Sequence, residues 1–222
     1  GFCAMTSTVA STVAPEVASV VAPEPSAMAT TPPVLAAQPK RFTVQDYHRL
    51  VELGFLGEDD HIELIRGELM QMAAKGVMHE ACIRRLLRQL PQSLNNQATL
   101  QCQAPIVLSF DGEPEPDFAV LRNREDDYTT AHPTPADILL VIEVADTSLE
   151  YDRTVKLSLY AEAAIPHYWL FNLVDRTLEA YSEPAQLPTG QFEYLNRRIF
   201  TPSTTIVLPI GEQPLALAQI FP

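Results

Sequence analysis

The apolar positions of this chain follow two periods, and their alternation divides it into elements. In "FTVQDYHRLVELG", Thr43 followed by Asp46 makes a capping box and Gly54 a stop, which predicts a short helix. "HIELIRGELMQM" reads as two strands joined at Arg66-Gly67. Ile62 and Leu64 fall on one face and Glu63 and Ile65 on the other, so Glu63 shares a face with an apolar residue. Over 79–90, Ile83, Leu86, Leu87 and Leu90 take the i, i+3, i+4, i+7 spacing of an amphipathic helix, with Arg84, Arg85 and Arg88 opposite. Such a helix is expected to pack on a sheet.

The period then shortens. "ATLQCQ", "PIVLSF" and "DFAVLR" predict three strands, the last two joined through Asp111-Gly112 and the prolines. "DILLVIEVA" has the continuous apolar character of a central strand covered on both faces. A helix is expected over 152–164, with Asp152 as its N-cap and Leu157, Tyr160, Ala161 and Ala164 inward, ended by Pro166. "HYWLFNL" and "TLEAYS" predict a strand pair about Asp175-Arg176, and the last forty residues hold two or three more short strands. This order implies an α/β (α+β) fold with a mixed central sheet flanked by helices and extra C-terminal strands.

Composition sets off residues 1–40, which are rich in Ala, Pro, Thr, Ser and Val and nearly free of charge. They are expected to be a disordered extension, with Met5 as the natural start and 1–4 a remnant, and 41–222 as a single domain. Among 222 residues no apolar run approaches the roughly 18 that a spanning helix needs. No membrane association and a cytoplasmic location are therefore expected. Cys3, Cys82 and Cys102 are too far apart for a thiolate zinc site, and the last two read as core residues. The net charge of -13 weighs against tight nonspecific binding to phosphate backbones. A cluster of metal-binding carboxylates contributes negative charge of the same sign without that implication.

One acidic residue interrupts the most apolar strand. Glu143 lies between Ile142 and Val144, where an unpartnered carboxylate is costly, so a metal ion, a cation or a proton is expected beside it. Asp117 begins a nearby strand after a proline-rich turn, and Lys156 lies on the first turns of the helix after Glu143. Two carboxylates on adjacent strands suit Mg²⁺ or Mn²⁺, and a lysine beside them suits the orientation or deprotonation of a water. The implied reaction is phosphodiester hydrolysis.

"EPEPDFAV", "VIEVADTS" and "YDRTVKLSLYAEAAIPHYWLFN", with the "IELIRGEL" hairpin and His79, resemble the Uma-two family of predicted endonucleases, common in cyanobacteria. That family falls within the PD-(D/E)xK superfamily, and the likeness runs from about Phe42 to the C-terminus. It implies a restriction-endonuclease-like core and a nucleic-acid substrate, DNA in the first instance. It places the PD pair on Pro116-Asp117 and the second acid on Glu143. The lysine of the motif would fall on Ala145, so Lys156 from the following helix is its stand-in, and Glu63 matches an acid that many members bring from an earlier element. The resemblance thus implies Asp117, Glu143, Lys156 and Glu63 as catalytic residues, Asp117 and Glu143 as ligands to Mg²⁺ or Mn²⁺, and His79 as a phosphate contact or proton relay.

Each assignment has a plainer counterpart. Asp117 suits a turn cap, Lys156 an exposed helix face, Glu63 an ion pair, His79 the first turn of its helix, and Tyr160 and Trp169 the core. The alternative for the whole chain is a nuclease-fold binding module that no longer cleaves, which Ala145 and the acidic balance favour. A homodimer is expected, with apolar surface near Trp169, Phe171 and Phe200 as its two-fold interface.

Overall fold

The structure, a computed structural model, describes residues 37–222; the expected extension lies almost wholly outside the described residues, as does Cys3. Pro39–Pro222 form a compact unit. Its centre is a six-stranded mixed sheet of β3 (Thr99–Cys102), β4 (Phe118–Leu121), β5 (Ile138–Ala145), β6 (His167–Asn172), β7 (Thr177–Gln186) and β8 (Phe192–Phe200), in that spatial order. Every neighbouring pair is antiparallel except β5 and β6. Parallel pairing demands a crossover, and a helical segment over 149–162 supplies it.

A different helix covers each face. α2 (Val77–Leu94) packs Cys82, Ile83, Leu86, Leu90 and Leu94 against Phe118, Val120, Leu140, Ile142 and Val144, with the C-terminal residues Leu217, Ile220 and Phe221 closing that layer. The crossover helix packs Leu159, Tyr160 and Ala161 against Ala119, Val141, Ala145, Tyr168 and Leu170. β5 is therefore buried on both sides, as its unbroken apolar run requires. β9 (Thr205–Val207) and β10 (Pro214–Ala216) make a separate small pair.

Two elements position the site from outside the sheet. α1 (Val44–Glu52) starts at Thr43, whose hydroxyl accepts from the Asp46 N–H while the Asp46 carboxylate accepts from the Thr43 N–H. The hairpin of β1 (Ile62–Ile65) and β2 (Glu68–Gln71) turns through Arg66 at φ 49° and Gly67 at φ 76°, the two positive values of a tight I′-type turn. A Cβ at Gly67 would lie 2.9 Å from Arg41 Cβ and 3.2 Å from the Phe42 carbonyl oxygen. Gly67→Ala is expected to cost about 1–2 kcal/mol through the left-handed backbone alone, read in a urea melt.

The structure departs from the sequence pattern at several points. "PIVLSF" forms no strand: Ile106 and Leu108 are buried, but the segment folds back on Gly112 and Pro114 through the Leu108 and Ile106 N–H groups. Pro105, Pro114 and Pro116 deny this segment the donors a ladder needs. Leu87 is exposed, and Cys82, four residues before Leu86 and on the same face, takes an inward place. Cys102 is only half-buried. Asp152 is not an N-cap, because helix begins at Leu149 and Asp152 is buried within it. Ala164 leaves the helix at φ 55° and is exposed, and Leu157 is half-buried while Leu159 is buried. The cause is a π-helical turn over Asp152–Lys156, whose wider turn shifts the phase of all that follows. Trp169 and Phe171 lie in the core under α2 and offer no surface for an interface.

Candidate functional site

Asp117 immediately precedes β4, and the register Phe118↔Ile142 sets it opposite Glu143. Residues opposed in an antiparallel pair share a face, here the face under the crossover helix. The Asp117 N–H donates to Glu143 Oε2 at 3.1 Å, and the Val144 N–H donates to Asp117 Oδ2 at 2.9 Å. Both side chains are almost wholly buried. A two-residue backbone interlock thus fixes both carboxylates before any helix contributes.

The crossover helix then brings charge of the opposite sign. Lys156 Nζ lies 2.6 Å from Glu63 Oε2 and 3.3 Å from Glu143 Oε1. The Tyr160 hydroxyl donates to Glu143 Oε1 at 2.6 Å. Asp152, Lys156 and Tyr160 are spaced by four, and the π turn between the first two brings such a spacing nearly onto one line. Asp152 accepts from the Ser148 hydroxyl at 2.6 Å, while its carbonyl accepts from the Tyr168 hydroxyl. Ala145, at the expected lysine position, is buried and carries no polar atom on its side chain. The ammonium beside these acids is that of Lys156, on the crossover helix.

Asp117 is held from the other side by α2 and by the end of β3. His79 Nε2 is 3.0 Å from Asp117 Oδ2, and the Gln103 amide donates to Oδ1 at 3.2 Å. Lys75 Nζ lies 3.9 Å from Oδ1. The five sequence-predicted residues Glu63, His79, Asp117, Glu143 and Lys156 therefore converge in one buried polar cluster drawn from β1, α2, the start of β4, β5 and the crossover helix. Arg153, another cation of the same helix, points elsewhere and pairs with Glu179.

Electrostatics here are set by burial first. Burial pushes Glu143 above the ordinary glutamate value, against the pull of the Lys156 ammonium. Burial also raises Asp152 to about 6, although its bond from Ser148 opposes the shift. Burial alone would raise Asp117 too, but the His79 hydrogen bond and charge and the Val144 N–H bring it below the ordinary carboxylate value. Lys156 is pushed above the ordinary lysine value: burial disfavours its charge, and the Glu143 and Glu63 carboxylates outweigh that effect. Three donors, the Asp117 N–H, Lys156 Nζ and the Tyr160 hydroxyl, converge on Glu143 and favour its anion against the upward push of burial, so the charged Lys156 meets a carboxylate there.

Three buried polar atoms among the described residues lack an aligned hydrogen-bond partner: Glu63 Oε2, His79 Nδ1 and the Tyr151 hydroxyl. Glu63 Oε2 has its ion pair to Lys156 but no well-directed bond, and Tyr151 feels the charges of Lys156, Glu63, Asp152 and Glu143. All three belong to or adjoin this cluster, and buried polar atoms are rarely left unpaired. The carboxylate oxygens of Asp117 and Glu143 are hard donors of the kind that Mg²⁺ and Mn²⁺ prefer, so the donor set fits such an ion.

A mixed sheet covered by helices on both faces, with acids at the end of one strand and within the next, defines a restriction-endonuclease-like protein. The chain belongs to the Uma-two family, whose description is "Putative restriction endonuclease" and which matches residues 44–217. A solved structure described as a putative nuclease from Anabaena variabilis superposes with a TM-score of 0.60 over 81% of this chain and 97% of its own, at 14% identity, which shows a common fold. No curated protein matches the chain. No helix among the described residues is long and apolar enough to cross a membrane.

Sequence reasoning assigned Tyr160 to the core and Asp152 to a cap, and did not single out Gln103 or Tyr151. The four-residue spacing of Ser148, Asp152, Lys156 and Tyr160 is a signal the sequence carries, since it sets four polar side chains along one side of the helix. Gln103 and Tyr151 carry no such signal.

Proposed function

We propose that this chain is a divalent-metal-dependent endonuclease that hydrolyses phosphodiester bonds of nucleic acid, DNA in the first instance. The observation that carries the reading is the convergence of Asp117, Glu143, Lys156 and Glu63 in one buried cluster, with Asp117 and Glu143 locked together by backbone hydrogen bonds. Asp117 and Glu143 would hold Mg²⁺ or Mn²⁺, which polarises a phosphoryl oxygen and lowers the pKa of a bound water.

The remaining roles fall to this chain's own groups. Lys156 stays protonated between two carboxylates, so it orients the attacking water and offsets charge on the phosphorane-like transition state, and it does not act as a base. Glu63 holds the ammonium in place, Tyr160 fixes the Glu143 carboxylate through Oε1, and His79 fixes Asp117 through Oδ2. Cleavage of both strands of a duplex calls for two such sites, so a homodimer belongs to this proposal. The exposed apolar residues Leu195 and Ile199 of the edge strand β8 take the place of Trp169 and Phe171 as surface available to it.

A second reading, a module that binds without cutting, is favoured by one observation: Lys156 already serves as an internal counter-ion to the carboxylates. Calorimetric titration with Mn²⁺ separates the two. Binding at millimolar metal or below, with supercoiled DNA cleaved in its presence and Asp117→Asn losing about 10²-fold or more of that cleavage, is the expected result. Absence of any metal binding would give the binding-module reading.

A further inference from the structure

We infer that His48, Glu113 and His132 form a site for one zinc-class divalent ion, built from residues the proposed nuclease site does not use. Among the described residues, these three bring one ligand atom each within 4.8 Å of one another. A tetrahedral ion with bonds of about 2.0–2.1 Å separates its ligand atoms by about 3.4 Å. His48 Nε2 now stands 3.0 Å from Glu113 Oε1 and 2.8 Å from Oε2. Small outward movement of that pair and small inward movement of His132 would produce the coordination geometry.

The surroundings distinguish this group from a chance surface pair. Glu113 is buried, its side chain 3% exposed, while the His48 side chain that meets it is 43% exposed. Among the described residues both Glu113 oxygens rest on the single Nε2 atom, which leaves most of the carboxylate's acceptor capacity unused by them. A buried carboxylate so sparsely met is costly unless a cation completes its environment. The rings of His48 and His132 stand edge to face at 6.3 Å, so His132 is close enough to supply the third ligand.

Each ligand also sits on a segment that is pinned independently. α1 is tied down by the Val44 N–H to the Phe110 carbonyl and by the Tyr47 hydroxyl to the Ile62 carbonyl. Glu113 bridges to Leu64 through its N–H, and the residue after His132 accepts from Val107. Three ligands from three held segments reduce the ordering that binding must impose. Two imidazole nitrogens and one carboxylate favour Zn²⁺, Co²⁺ or Ni²⁺ over Mg²⁺, in contrast to the all-oxygen pair of Asp117 and Glu143. Because His132 is exposed and His48 half-exposed, a fourth position faces solvent and is open to water. The ion would clip α1 to the segments carrying Glu113 and His132.

The test is calorimetric titration of the chelator-treated full chain with Zn²⁺, with Co²⁺ absorption as a geometric probe. One equivalent should bind, with the intense visible bands of four-coordinate Co²⁺, and millimolar Mg²⁺ should not displace it. His132→Ala, a surface change that spares the fold, should weaken binding by at least about tenfold, and His48→Ala likewise, because loss of a ligand costs no less than loss of a supporting residue. Asp117→Asn should leave it unchanged. Zn²⁺ should raise the melting temperature of the parent protein but not of His132→Ala. Absence of zinc binding, retention of the parent affinity in His132→Ala or His48→Ala, or loss of the ion in Asp117→Asn would each overturn the inference. A protein without nuclease activity would leave it intact.

Discussion

Lys156→Met is expected to lower nucleic-acid cleavage by about 10²–10³-fold while leaving affinity for Mn²⁺ equal to or above that of the parent chain. The methionine keeps the volume of the stem but removes the ammonium that now neutralises Glu63 and Glu143. Without a divalent ion, the two buried carboxylates then lack a counter-ion, and the fold should lose about 3–5 kcal/mol. Mn²⁺ restores positive charge at the same place, so it should raise the melting temperature of the variant by more than it raises that of the parent. Glu143→Gln should behave oppositely, losing metal affinity and cleavage together, since it removes a ligand. Cleavage at the parent rate by Lys156→Met would show that the ammonium has no part in the reaction. A melting temperature that Mn²⁺ leaves unmoved in the variant would show that the ion does not occupy the Glu63 and Glu143 environment.

The second large effect lies at the far side of the crossover helix. Glu179 is 1% exposed and accepts from Arg153, Arg197, Tyr181 and Asn172, with Arg153 Nε at 3.0 Å and the Tyr181 hydroxyl at 2.6 Å. Burial raises its pKa, but these donors more than reverse that and hold the carboxyl at about 2, against 4.5 ordinarily. A folded-state pKa below the unfolded value means that the ionised form stabilises the fold. That contribution is complete above about 4.5 and disappears as the pH falls toward 2. Glu179→Gln is therefore expected to cost about 2–3 kcal/mol at neutral pH, the scale of hydrogen bonds to a charged group, and almost nothing near pH 2. Urea melts at both values measure it, and an equal cost at both would assign the effect to packing. Because Arg153 is committed to Glu179, this cluster anchors the turn of the helix that carries Lys156.

The second cluster also shows why some contacts could not be read from the chain. Glu179, Arg153 and Arg197 are ordinary charged residues in sequence, and only the pairing of β7 with β8 and the crossover helix brings them together. The same holds for His48, Glu113 and His132, which are separated by 65 and by 19 residues and lie on α1 and on two segments outside any helix or strand. Long-range contacts of this kind are fixed by topology, and local pattern carries no information about them.

Local pattern did carry the elements whose side chains must satisfy one face at a time. The Thr43 capping box, the Arg66-Gly67 hairpin and the apolar run of β5 follow from rules acting within a few residues and stand where those rules put them, and α2 does so apart from its longer ends and the exposed Leu87. Glu143 was legible for the same reason, as a charge in a strand with no polar face. Its direct partner Asp117 followed from a strand start after proline, but the register that sets the two opposite each other belongs to the sheet.

Tertiary structure decided the rest. It turned "PIVLSF" into a loop, because prolines removed the donors a ladder needs. It placed a π turn at Asp152–Lys156, which changed the inward face of the helix from Leu157 to Leu159 and turned Asp152 and Tyr160 toward the acids. The sequence by itself determined which groups are chemically able to bind metal and phosphate. The packing of the crossover helix over β5 decided that Lys156 stands between Glu63 and Glu143, since an ammonium buried at that depth persists only where carboxylates offset the loss of water.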